Sequence, residues 1–72
     1  MTVIEMKSKF CKKVSEIRLR ENISLKELSQ RSGISLEMLK ALERGEIPEE
    51  MMVDDAFGLA RAFNCKVSEL FQ

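Results

Sequence analysis

Chemistry in this chain has to be done without histidine. The commonest general base and the commonest metal ligand are therefore both missing. Cys11 and Cys65 lie far apart, and neither has a second cysteine nearby, so the spacing of a zinc site does not occur. Each falls on or beside an apolar stripe, where a reduced, partly buried thiol is the simplest reading. No nucleophile–base set can be assembled, which points away from an enzyme and asks for no metal or other cofactor. What remains is charge. Twelve basic and twelve acidic side chains cancel over the chain, but they are unevenly placed. Residues 1–44 hold ten Lys/Arg against six Asp/Glu, and residues 45–72 hold two against six. A polyanion should prefer the first part of the chain.

The elements that must carry these charges read as helices. Leu, Met, Glu, Lys and Arg dominate, β-branched residues are sparse, and Tyr and Trp are absent. Met6, Phe10, Val14 and Ile17 make one face of a first helix, which Asn22 should end in the left-handed conformation. Before about Met6 the chain either frays or extends that helix. Lys7, Lys9, Lys12 and Lys13 fall mostly on its other faces and read as a solvated surface. Ser24 and Glu27 have the spacing of a capping box, with Ile23 stapled on Leu28. Gly33 stops this second helix after Ser32, and Ser35 is the next N-cap. A third helix runs from Leu36 to about Arg44 and stops at Gly45. Pro48 suits the first turn of a fourth helix, with Glu49 and Glu50 at its positive end. Val53, Ala56, Leu59, Ala60 and Phe63 supply its apolar face, with Phe57 at the edge and Gly58 marking a close helix crossing. Asn64 is a second left-handed stop, and Val67, Leu70 and Phe71 form the apolar side of a short last helix. The 72 residues thus predict one all-α domain of five helices over 1–72.

Two short helices joined by a glycine-containing turn, the second opened by a serine cap, form a helix-turn-helix pattern. The tight turn lets the first helix brace the second while one face of the second stays outside the core. Leu39 and Leu42 should point inward, with Leu36 near the edge. Glu37, Lys40, Ala41 and Arg44 should be exposed.

The run Val14, Ile17-Arg18, Ile23-Ser24, Leu28, Gly33-Ile34-Ser35, Leu39, Leu42 to Gly45, Leu59-Ala60, Phe63 and Val67 to Phe71 resembles the phage repressor/Cro-like (XRE-type) helix-turn-helix domain. The resemblance covers about residues 8–71. It implies five helices, the second and third forming the helix-turn-helix, and a DNA-binding transcription regulator. It also implies a structural ion pair between Arg18 of the first helix and Glu43 at the end of the third. The positions matching the family's base-reading side chains are Ser35, Leu36, Glu37, Met38 and Ala41. Glu accepts from cytosine N4, and Leu, Met or Ala can touch a thymine methyl; none makes a bidentate contact to guanine or adenine. Lys26, at the start of the second helix, matches a phosphate contact, and Lys40 and Arg44 lie on or beside the exposed face of the third. After Gly45 the family often carries basic residues or Asn, where this chain has Glu46, Glu49 and Glu50, and few phosphates would be neutralised there.

Two partners remain open. Double-stranded DNA is favoured by Lys26, Lys40, Arg44 and the positive first part. A protein partner is favoured by Leu25, Leu36, Met38, Glu37 and the acidic 46–50 segment. Ile47, Met51 and Met52, with Leu70 and Phe71, exceed what so small a core can bury and offer a homodimer seam. The N-terminus has no apolar signal region, and no stretch approaches a membrane span, so a cytoplasmic chain is expected.

Overall fold

The computed structural model describes residues 3–71, all of whose regular structure is helical: α1 (Val3–Arg20), α2 (Leu25–Ser32), α3 (Leu36–Glu43), α4 (Val53–Ala62) and a closing 3₁₀ helix (Val67–Phe71). The fold is therefore all-α, with four α-helices and a 3₁₀ turn in place of a fifth α-helix. Its first helix extends back through Met6 to Val3; Met1 and Thr2 lie outside the described residues.

The helix ends follow from local chemistry. α1, α3 and α4 all close in the same way. A residue at positive φ (Asn22 and Asn64 at 56°, Gly45 at 83°) reverses the chain, and the next N–H returns to a carbonyl of the last turn. The bonds are Ile23 to Arg18 at 2.9 Å, Glu46 to Ala41 at 2.9 Å and Cys65 to Ala60 at 2.9 Å. α2 ends at Gly33 with φ 77°, where a side chain would be strained. Ser24 caps α2 by accepting the Glu27 N–H at 3.0 Å, but the Glu27 carboxylate takes Arg31 at 2.6 Å instead of completing the box. One boundary differs from the sequence reading. Pro48 does not open α4; its carbonyl accepts the Met51 N–H in a preceding turn. α4 starts at Val53 because Asp55 reaches back to the Met52 N–H at 2.8 Å. Asp54 and Asp55, not Glu49 and Glu50, then sit at the positive end of the helix.

The core gathers one face from every element: Phe10, Val14 and Ile17 of α1, Leu28 of α2, Leu39 and Leu42 of α3, Leu59 and Ala60 of α4 with Phe63 just after it, and Leu70. Phe10 also stacks on Phe71, with ring centroids 5.1 Å apart. Two residues expected in the apolar faces are exposed. Met6 is 42% and Val53 71% exposed, because the first turns of α1 and α4 run past the edge of the core. Leu70, read as part of a possible dimer seam, is completely buried. At Gly58 α4 touches the end of α2 so closely that a Cβ would lie 2.7 Å from the Ser32 carbonyl oxygen.

Candidate nucleic-acid interface

The turn between α2 and α3 is tied by side chains as well as by backbone. Ser29 Oγ donates to the Ile34 carbonyl at 2.6 Å, and the Ile34 N–H donates to Ser32 Oγ at 3.2 Å. Ile34 itself is buried. Serines in the last turns of a helix compete with its backbone, and here that competition is used to end α2 and aim the chain into α3. Neither Ser29 nor Ser32 was singled out from the sequence; their place just before Gly33 is the signal that could have found them.

α3 is then fixed at both ends and from below. Ser35 Oγ accepts the Met38 N–H at 3.2 Å, which fills one of the free donors of the first turn. Leu39 and Leu42 are buried. At the far end Glu43 accepts from Arg18 Nε at 2.7 Å and from Ser15 Oγ at 3.1 Å, while Arg18 Nη1 donates to the Ile23 carbonyl at 3.0 Å. Arg18 and Glu43 therefore join α1, the α1–α2 turn and α3 in one network, as a brace and not as free charges. The pair is only part-exposed, so losing one partner leaves the other poorly solvated.

The outward side of α3 carries Glu37, Lys40 and Arg44, all exposed. Lys26 is exposed at the start of α2, and neither it nor Lys40 makes an ion pair among the described residues. Arg44 is less available. Its Nη2 lies 3.2 Å from Glu46 Oε2, although both side chains are more than half exposed and the pair is weak. Three expectations change here. Ala41 is 8% exposed, because the chain folds back over it where the Glu46 N–H meets the Ala41 carbonyl. Little of its methyl is left for a base. Leu36 and Met38 are half-buried, and Met38 packs against the core instead of standing free. Leu25 likewise leans on the core.

Between α3 and the 46–50 segment lies a cleft of about 530 Å³. Its lining combines Ser35, Met38, Ala41, Ile47 and Pro48 with the charges of Glu37, Arg44, Glu46, Glu49 and Glu50. Four carboxylates and one guanidinium thus surround the outer side of α3. The cysteines are elsewhere, both free. Burial pushes the Cys11 thiol above its ordinary range; burial, with Glu69 beside it, does the same at Cys65. Raised thiols are poor nucleophiles. Among the described residues no cluster could hold a metal ion, and no helix is long and apolar enough to cross a membrane.

Comparison with known proteins agrees with this geometry. Residues 13–72 match the Cro/C1-type HTH DNA-binding domain. A protein of Archaeoglobus fulgidus described as an uncharacterized HTH-type transcriptional regulator is 30% identical over 59 residues, which are 82% of this chain and 80% of that one. The crystal structure of an HTH_3 family transcriptional regulator from Vibrio cholerae superposes with a TM-score of 0.83 and 26% identity. That match covers 97% of this chain but 38% of the Vibrio chain, so this chain spans well under half of that protein's length. With the match running from the middle of α1 through the closing 3₁₀ helix, the chain belongs to the Cro/C1-type helix-turn-helix DNA-binding domain family.

Proposed function

We propose that this chain, as a single helix-turn-helix domain, is a sequence-specific transcription regulator of the XRE type that reads the DNA major groove with α3. In this reading it acts in the cytoplasm as a homodimer on paired half-sites, and not as an enzyme. One observation carries it: α3 is locked by its serine cap, its buried leucines and the Arg18–Glu43 brace, while Lys40 on its outer side has no ion-pair partner among the described residues. A braced helix with a free cationic edge, beside Lys26 at the start of α2, has the form of a groove reader. Ser35, Leu36, Glu37 and the part of Met38 left outside the core would face base edges at the start of α3, with half-buried Leu36 suited to a thymine methyl. Lys26, Lys40 and Arg44 would take phosphates.

The test is binding to short duplexes, of random and genomic sequence, across a salt series. Binding should weaken with salt. Lys40→Ala should lower affinity and reduce the salt slope by about one, the amount set by one phosphate contact. Arg44→Glu should lower affinity further. If no duplex binds at low salt while circular dichroism shows the helices intact, the reading fails.

The carboxylate-lined cleft favours a second reading, a module that keeps this scaffold but binds another protein through Leu36, Met38 and the acidic 46–50 segment. Glu37→Gln separates the two. With DNA as partner, removing this charge strengthens non-specific binding; no change at low salt means that α3 faces something else.

A further inference from the structure

A hollow of about 350 Å³ opens where α1 passes the end of α3. Ser8, Lys12 and Ser15 line it from α1, and Glu43 and Arg44 from the end of α3. Its charges are not balanced. Glu43, the carboxylate in the lining, is engaged at both oxygens: Oε1 accepts from Arg18 Nε at 2.7 Å and Oε2 from Ser15 Oγ at 3.1 Å. Arg18 itself lies outside the hollow, so this carboxylate is neutralised from elsewhere. Lys12 is exposed and has no ion-pair partner among the described residues. What is left to meet an incoming group is cationic.

Arg44 has two places to go. It lines this hollow and also the carboxylate-lined cleft on the outer side of α3, where its Nη2 lies 3.2 Å from Glu46 Oε2. That pair is exposed and easily exchanged. With the hollow empty, turning toward Lys12 would bring two like charges together, so Glu46 is the better partner. An oxyanion between them reverses the balance, because its oxygens accept from a guanidinium fork and an ammonium at once. Arg44 directly continues α3, the helix proposed to enter the groove, and the oxyanion within its reach there is a backbone phosphate. From this we infer that Lys12 and Arg44 grip one phosphate of the duplex between α1 and the end of α3, with the Ser8 hydroxyl as a third donor. Arg44 leaves Glu46 as it does so. The inference rests on the proposed DNA reading and extends its footprint from the helix-turn-helix to α1.

Fluorescence anisotropy of a short labelled duplex at low salt tests the grip. Lys12→Ala should weaken binding on the order of tenfold, the loss of one charge-assisted hydrogen bond. Lys9→Ala removes the same charge from an exposed position of α1 outside the hollow and should change affinity less than about twofold, the long-range share of one charge. Ser8→Ala should weaken binding less than Lys12→Ala does. All three positions are exposed, so the helical circular dichroism should stay as in wild type. Adding Arg44→Ala to Lys12→Ala should cost less than the two single losses multiplied, because removing either side chain loosens the phosphate for the other. Lys12→Ala binding as well as Lys9→Ala, or losses at Lys12 and Arg44 that simply multiply, overturns the inference and leaves the DNA reading standing. A folded wild type that binds no duplex overturns both.

Discussion

Gly58→Ala tests how the helix-turn-helix is seated on the rest of the molecule. α2 packs more extensively against α4 than any other pair of helices does, and the closest point of that contact is the Ser32 carbonyl over Gly58. A Cβ at residue 58 would lie 2.7 Å from that oxygen, whereas ordinary contact begins at 3.4 Å, so about 0.7 Å must be found. The opposing atom is backbone and cannot rotate away. Two effects compete. Alanine in place of glycine in a helix interior gains about 1 kcal/mol of propensity. Overpacking that forces a backbone shift costs roughly 1–3 kcal/mol, and with no flexible side chain to yield the upper end applies. The balance is a net loss of about 2 kcal/mol. For a domain of this size that lowers Tm by roughly 10 °C. Thermal unfolding followed by far-UV circular dichroism measures it. The displacement also falls on Ser32, whose hydroxyl holds the Ile34 N–H, so the turn into α3 moves with it. Duplex binding at a temperature where the variant is folded should therefore weaken beyond what instability explains. A variant as stable as wild type, or more stable, would refute this account, because it would mean that α2 slides freely on α4 and that the propensity gain wins.

Three further outcomes are expected. Glu43→Ala should cost about 2–3 kcal/mol in denaturant unfolding, because it strands the part-buried Arg18 guanidinium as well as Ser15 Oγ; a loss no larger than that of an exposed pair would deny the brace. Both thiols are raised in the fold, so the unfolded chain ionises first; stability should be full below the ordinary thiol range and fall as pH climbs through it. Cys11→Ala should flatten that alkaline decline in a pH series of thermal melts, and an unchanged slope would contradict it. Converting Glu46, Glu49 and Glu50 together to Gln should tighten binding to random duplex and steepen its salt dependence, read by fluorescence anisotropy, whereas indifference to the change would place the 46–50 segment away from DNA.

Positions with a strong local rule were legible in the chain. Asn22, Gly33, Gly45 and Asn64 each adopt the positive φ that their residue types suggested. Ser24 and Ser35 cap, and the Leu39/Leu42 stripe points inward, because capping and periodicity depend on a few neighbouring residues. Arg18 and Glu43 came from family resemblance, since nothing in local spacing pairs residues on different helices. The misses have a common cause, which is that the edge of the core is a tertiary property. Val53 fits the stripe of α4 by period, yet the helix has left the core by then, whereas Leu59 and Ala60 on the same stripe are buried. Ala41 sits on the outer arc of α3 by period, but the chain reversal at Gly45 returns to cover it. Pro48 was a weaker signal than Asp55, because a carboxylate that captures an N–H fixes a helix start more firmly than a residue that merely tolerates one.

On the proposed reading the acidic segment beside α3 acts on both kinds of binding that a groove reader must balance. Non-specific affinity comes from phosphates, so Glu46, Glu49 and Glu50 act on it in full. Specific affinity would add contacts to base edges and methyl groups from Leu36 and Glu37 at the start of α3, which shares its outer cleft with the acidic segment. The Arg44–Glu46 pair adds little to this penalty, since an exposed pair holds together by about 0–1 kcal/mol and a phosphate can compete for the arginine. What persists is like-charge repulsion within a Debye length of about 8 Å at physiological salt, which acts on any duplex alike. Lowering both affinities by a common electrostatic term leaves their ratio intact while reducing time spent on wrong sequence, and that ratio, weighted by the number of competing sites, decides occupancy. Affinity lost in this way can be recovered by joining two readers, because linked half-sites convert the second contact into an intramolecular one. On the proposed reading, a weakly attractive α3 face and the pairing of two readers are therefore two parts of one solution.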